Sequence, residues 1–172
     1  MATFHDFDPT PVFVALNRAR VRYMVVGGWA VGAYGVVRAT KDLDLIVDFD
    51  RANLRRLTQA LSDIGYAPKV PENPEQLADI EVRNRWMRKK GMKVFSFVEQ
   101  RPPFYLVDIM VKHRGQFDTL YRRRTYARVG VVRIPVVPVG HLLRMKRIAK
   151  RPKDIEDARR LQWLMKHKRQ RL

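Results

Sequence analysis

The chain has 172 residues with 46% apolar content, enough for one domain with a small helical appendage and a proper core. It contains no cysteine, which excludes disulfides, thiolate metal sites and thiol nucleophiles, and it has no leader pattern and no apolar run near the roughly 18 residues of a membrane span, so a cytosolic protein with no membrane partner is the expectation. Thirty-five Lys and Arg against seventeen Asp and Glu leave a net charge of +18, a field that attracts polyanions, nucleic acid above all, and repels a polycationic ligand.

Pro9–Ala19 reads as a helix, with Pro11 early and Val12, Ala15, Leu16 and Ala19 on one face. Tyr23–Val26 is a short apolar run that predicts a buried strand reaching Gly27-Gly28. A helix over Trp29–Val37 and a second strand over Leu43–Val47 follow, and this alternation predicts a sheet with a parallel or mixed start. Asp50 is placed to cap a helix over Arg51–Ile64, where Leu54, Leu57, Leu61 and Ile64 repeat at helical spacing and Gly65 is the stop. Three prolines between Ala67 and Pro74 predict a loop, and Glu75–Lys90 a helix ending in the basic cluster Arg83, Arg85, Arg88, Lys89 and Lys90.

Met92–Val98 and Phe104–Val111 are strands joined closely enough for an antiparallel hairpin. A basic turn or helix over Gln116–Arg124 precedes a strand pair, Ala127–Val129 and Val131–Val137, around Gly130. Two helices, Val139–Lys150 and Asp154–Lys168, meet at Pro152. Residues 144–172 hold twelve basic and three acidic side chains, half of the net charge. The expected organisation is an α/β (α+β) core over residues 1–137, with a basic helical segment over 138–172 packed on it.

Glycines between a strand and a helix let the backbone approach a ligand closely, and the amide N–H groups of a helix start attract anions. Gly27 and Gly28 fit that description. Asp42 and Asp44 alternate along a strand and share a face, about 6.5–7 Å apart. Asp48 shares that face but lies at the strand end, outside such a site. A D-x-D pair alone is better explained by capping or turn formation, whereas a glycine cradle beside it points to a metal–phosphate site. Asp108 interrupts FYLVDIMV, which reads as a strand buried on both faces. A carboxylate there needs compensation, either from a metal shared with Asp42 and Asp44 or from an arginine. Lys146 shares the apolar stripe of its helix with Leu142 and Leu143, where it either reaches a bound triphosphate or lays its stem on the core. His5, His113, His141 and His167 lack ligand spacing, and no Ser–His pairing stands out.

The segment GGWAVGAYGVVRATKDLDLIVD resembles the opening motif of the DNA polymerase β-type nucleotidyltransferase superfamily, a Gly-Gly or Gly-Ser turn followed by D-x-D. The segment HLLRMKRIAKRPKDIEDARRL is similar to the closing motif of its abortive-infection and toxin–antitoxin branch, a lysine, a basic spacer and Asp-x-x-Asp. The resemblance implies a polymerase-β-like core with a mixed, twisted sheet flanked by helices and a C-terminal helical pair. It implies that Gly27 and Gly28 hold the β- and γ-phosphates of an NTP, and that Asp42, Asp44 and Asp108 bind two Mg²⁺ ions. Lys146 and Asp154, with Asp157, match the later motif positions, and Arg38 and Thr40 are candidates to assist the phosphates. One departure is Trp29, which stands where many members carry a phosphate-binding serine; some aminoglycoside nucleotidyltransferase-like sequences share it.

The implied reaction moves a nucleoside monophosphate from an NTP to an acceptor hydroxyl and releases pyrophosphate. The charge points to RNA, plausibly tRNA, as acceptor, and the branch implies a toxin with a cognate antitoxin partner. Two alternatives stand beside this reading: a small, aminoglycoside-like acceptor, and a non-catalytic nucleic-acid-binding module on the same fold.

Overall fold

The computed structural model describes residues 7–36, 39–113 and 117–168. The chain runs α1 (Thr10–Arg18), β1 (Tyr23–Val25), α2 (Gly27–Ala33), β2 (Asp42–Val47), α3 (Arg51–Asp63), β3 (Tyr66–Pro68), a 3₁₀ turn (Pro74–Ala78), α4 (Ile80–Lys90), β4 (Val94–Glu99), β5 (Leu106–Met110), α5 (Phe117–Arg122), β6 (Thr125–Val129), β7 (Val132–Val136), α6 (Val139–Ala149) and α7 (Pro152–Lys168). The strands form one mixed sheet in the order β3-β4-β5-β2-β1-β7-β6. The pairs β2–β5 and β1–β7 are parallel, and the other neighbours are antiparallel.

Side-chain alternation in the middle of the sheet decides which face is core. Leu43 and Leu45 of β2, Val107 and Ile109 of β5, and Phe95 and Phe97 of β4 are fully buried and lie opposite one another in register. Each such side chain contributes about 1.5–3 kcal/mol by leaving water. The intervening residues, Asp42, Asp44, Ser96 and Asp108, therefore point to the other face. This corrects the reading of Asp108 as part of a strand buried on both faces: β5 is buried on one face only.

Several boundaries also differ from expectation. Strand β1 stops at Val25, and Gly27 and Gly28 belong to the first turn of α2, which ends at Ala33. Arg38 and the expected helix end at Val37 lie outside the described residues. Strands β1 and β2 are antiparallel, because α2 is only seven residues long and the chain re-enters the sheet at the end it left. Tyr66–Pro68 is a short edge strand rather than loop; Pro68 is tolerated there because only one neighbour claims its backbone. The expected helix over Glu75–Lys90 divides at Asp79, whose carboxylate accepts hydrogen bonds from the Glu81 and Val82 amides and so starts α4.

Helix α6 buries Leu142 and Leu143 and α7 buries Ala158 and Leu161 against the same core cluster as the sheet. No helix among the described residues is long and apolar enough to cross a membrane. A buried polar tie fixes the start of β1: Asn53 of α3, 1% exposed, accepts from the Arg22 amide at 2.8 Å and donates to the Arg22 and Asp48 carbonyls at 3.1 and 2.9 Å. Asn53→Ala leaves the Arg22 N–H and the Asp48 carbonyl without these partners. It is expected to lower unfolding free energy by about 2–3 kcal/mol, read by urea denaturation; a loss below about 0.5 kcal/mol would contradict this role.

Candidate active site

The sheet register assembles a row of polar side chains across three strands. Asp44 of β2 is paired with Asp108 of β5, and Asp108 with Ser96 of β4. Asp42 lies on the same face two residues before Asp44, opposite Leu106. Adjacent strands stand about 4.8 Å apart, so the carboxylates of Asp44 and Asp108 are close neighbours by construction.

Gly27 closes the site from the β1 side. The Val26 amide donates to the Asp44 carbonyl at 2.9 Å, which locks the following residue beside the Asp44 side chain. Gly27 adopts φ +64°, and a Cβ on it would fall 1.9 Å from Asp44 Oδ2 and 2.8 Å from Asp44 Cβ. Swinging the carboxylate away cannot relieve the second contact, so both backbone conformation and space demand glycine here. The close approach brings the start of α2 against the carboxylate row.

The electrostatics are those of a site short of positive charge. Burial, then the neighbouring charges of Asp108 and Asp42, push the Asp44 carboxyl up to about 6, against the lowering influence of Lys146 and Arg151. Burial also raises Asp108, with Asp42 adding to the effect, while a hydrogen bond from Ser96 and the charge of Lys69 work the other way. Asp108 Oδ1 is nevertheless buried with no hydrogen-bond partner. Clustered carboxylates with an orphaned oxygen suit a hard divalent cation that takes oxygen ligands. Among the described residues, no three acidic or histidine groups converge into a closed ligand cage. Mg²⁺ takes only one or two carboxylates in nucleotide sites and fills its shell with water and phosphate oxygens, so an open row fits it.

The C-terminal helices present a second cluster. Asp154, Asp157, Ala158 and Leu161 fall on one stripe of α7 facing α6. Lys146 of α6, 5% exposed, is held at 3.0 Å by Asp154 and at 2.8 Å by Asp157. Two of its three donors are thus engaged within the protein. Asp154 is fully buried, so it meets no ligand directly. Arg151 grips the other side of Asp154, Nε to Oδ2 at 2.6 Å and Nη2 to Oδ1 at 3.3 Å. Burial alone raises the Asp154 carboxyl, but hydrogen bonds from Arg151 and Lys146 outweigh it and hold the group below its ordinary value.

Thr40 sits at the entrance to β2, its hydroxyl donating to the Asp42 carbonyl at 3.3 Å. Trp29, Val36, Thr40, Arg128 and Ile134 are among the residues lining a groove of about 600 Å³ along α2, which also touches Gly28. The Trp29 Nε1–H has no hydrogen-bond partner. Three side chains that sense the carboxylates escaped sequence reasoning: Ser96, Lys69 and Arg151. Ser96 is legible only through the β4–β5 register. Arg151 stood in the quoted closing motif, two residues before the helix interior, and was hidden among eleven other basic residues.

A mixed sheet that sets a glycine turn against paired strand carboxylates is the architecture of the polymerase-β-like nucleotidyltransferases, and the protein is a nucleotidyltransferase of this class. The sequence model of the aminoglycoside-2''-adenylyltransferase family matches residues 10–126, and the chain belongs to that family. Among solved structures it is similar to the lincosamide antibiotic adenylyltransferase LnuA in its lincomycin-bound form, with a TM-score of 0.61 and 16% identity over 93% of this chain and 99% of that one. It is also similar to ANT(2'')-Ia in complex with adenylyl-2''-tobramycin, with a TM-score of 0.56 and 14% identity over 94% and 95% of the two chains. An antigenic nucleotidyltransferase-like protein from Paracoccidioides brasiliensis matches with a TM-score of 0.55 and 18% identity, over 87% and 71%. No curated protein sequence matches significantly.

A pH-dependent cost follows from the carboxylate row. In metal-free protein the folded Asp44 carboxyl holds its proton up to about pH 6, whereas its ordinary pKa is 3.8. The folded state binds the extra proton, so stability from this group is complete below about pH 4 and is lost as pH rises through 6. Asp44→Asn is expected to raise unfolding free energy at pH 7 by about 1–2 kcal/mol, after allowance for residual solvent access, and to flatten the profile between pH 4 and 6. Urea melts in EDTA across that range provide the check, and identical profiles for the two proteins would contradict the arrangement.

Proposed function

We propose that the protein transfers a nucleoside monophosphate, AMP by analogy with the family's name, from an NTP to a hydroxyl group of a small molecule. The observation that carries the reading is the row Asp42, Asp44 and Asp108 on one face of the sheet, with Asp44 packed against Gly27 at the start of α2. Asp42, Asp44 and Asp108 would hold two Mg²⁺ ions, and Gly27 and Gly28 would offer backbone amides to the β- and γ-phosphates. When bound, the metal neutralises the triphosphate and lowers the barrier to attack at the α-phosphorus. Asp108, whose Oδ1 has no partner and whose pKa is raised, accepts the proton of the acceptor hydroxyl as its oxygen bonds to the α-phosphorus. The bond from that phosphorus to the bridging oxygen breaks and pyrophosphate leaves. Thr40, at the mouth of the site, steadies the approach to β2.

The small-molecule acceptor is supported by the family and by two structural relatives whose names specify lincosamide and aminoglycoside antibiotics. The groove along α2 is large enough for part of such a molecule. The net charge of +18 favours an acceptor with few positive charges over a polycation.

RNA remains a second reading because of one observation. Arg22 lies over Phe117 and Tyr121, Arg124 over Tyr121 and Tyr126, and Arg133 over Tyr126, an alternating row of guanidinium groups and rings on a basic chain. Flat, preorganised arginines suit phosphates and bases. The toxin setting and a cognate antitoxin rest only on the resemblance of residues 141–161 to the closing motif.

Purified protein with Mg²⁺ and each labelled NTP is expected to label a hydroxyl-bearing antibiotic from a panel of aminoglycosides and lincosamides in preference to total tRNA. Asp44→Asn and Asp108→Asn are expected to reduce transfer by about a thousandfold. Label entering tRNA alone would replace the first reading by the second, and transfer unaffected by either substitution would remove the carboxylate mechanism.

A further inference from the structure

We infer that Arg151, rather than Lys146, is the cation that grips the β- and γ-phosphates of the bound nucleotide, and that Lys146 and Asp154 aim it. The inference rests on the nucleotidyl-transfer reading above. Lysine 146 is the residue that motif comparison selects, yet its ammonium is buried between Asp154 and Asp157 and has little left to offer a ligand. Its charge is matched twice over inside the protein.

Arg151 has the opposite disposition. Its side chain is 61% exposed, while one edge of the guanidinium is anchored on a carboxylate that is itself fully buried. An arginine has five N–H donors on a rigid plane, and Asp154 takes only the Nε and Nη2 edge. Nη1 makes no hydrogen bond among the described residues. The turn that carries it is fixed on both sides, by Lys150 in the left-handed conformation at the end of α6 and by Pro152 at the start of α7. The net result is a guanidinium held by one edge, with the other edge presented to solvent.

Its position relative to the carboxylates completes the case. Tyr34, at the end of α2, shares an apolar pocket with Val139 at the start of α6 and with Leu161 and Leu164 of α7, so α6, packed along α2, carries the turn that holds Arg151 toward the start of α2 and the carboxylate row. The electrostatic effects of both Lys146 and Arg151 on Asp44 agree with that placement. A triphosphate seated beside Asp44 and the α2 start would lie between the metal-binding carboxylates and this free edge. Planar N–H pairs match phosphate oxygens, and a lysine in the same place would supply charge without the paired geometry. Lys146 and Asp154 then act through Arg151: they are positioning residues, one link removed from the ligand.

The test is calorimetric titration of the full chain in Mg²⁺ with a non-hydrolysable ATP analogue and, by competition, with AMP. Arg151→Met is expected to weaken the analogue by about tenfold to a hundredfold while AMP affinity changes less than about threefold. Arg151→Lys is expected to fall between, and it carries the test should the methionine variant melt early. Asp154→Asn should show the same triphosphate-selective loss, whereas a purely structural role would lower both affinities together. Wild-type affinity for the analogue in both Arg151 variants, with binding still abolished by Asp44→Asn, would overturn this inference alone. No analogue binding by the wild-type protein would overturn it together with the nucleotidyl-transfer reading.

Discussion

Burial of neighbouring carboxylates, with their mutual repulsion added to it, is the constraint on which the rest of this structure depends. The register of β2 against β5 sets Asp44 beside Asp108, and the hydrogen bond from Val26 to the Asp44 carbonyl brings Gly27 against the same side chain. The buried carboxylates of this arrangement raise the energy of the apo fold, and the hydrogen bond from Ser96 to Asp108 offsets only part of that cost. Asp44 is held well above its ordinary pKa, and Asp108 has a buried oxygen without a partner. A protein keeps such a cost where function requires it, and the leucines, valines and phenylalanines on the opposite face of the same strands stabilise the sheet enough to bear it.

The C-terminal helices answer that repulsion from a distance. Lys146 and Arg151 lower the Asp44 pKa without touching it, and both are anchored by Asp154. A buried ion cluster is weak evidence for stability, because desolvation offsets most of its Coulomb energy. Its value here lies in fixing where two positive charges stand relative to the carboxylate row. The fold thus sets the acidic groups on the central strands and the basic groups on the C-terminal helices.

Much of this was legible in the amino-acid sequence, and the reasons are physical. The strand–Gly-Gly–helix pattern and D-x-D spacing are local, so periodicity exposed β1, α2, β2 and the shared face of Asp42 and Asp44. The stripe Leu142, Leu143, Lys146 correctly turned Lys146 inward. Which partner it met was not legible, because Asp154 and Asp157 come from another helix. The same limit explains Asp108: an apolar run looks buried on both faces, and only the register with β2 and β4 shows that alternate residues face a polar row. The antiparallel β1–β2 pair escaped for a similar reason, since strand direction depends on how a short helix returns the chain. Charge and family point to different acceptors. A net +18 argued for RNA, while the family places the chain among adenylyltransferases named for a small-molecule substrate. Net charge describes the far field of a protein, and an acceptor is chosen by a few contacts in a groove.

The central claim is that Asp44 and Asp108 are held at raised pKa values because a divalent cation belongs between them and the phosphates. Carboxyl-selective ¹³C NMR of Asp44, titrated over pH with and without Mg²⁺ and a non-hydrolysable nucleotide, tests it most directly. The account predicts an Asp44 midpoint near 6 in metal-free protein that falls below the usual carboxylate range once metal and nucleotide are present. An ordinary midpoint near 4, or a raised one that metal and nucleotide leave unmoved, would contradict it.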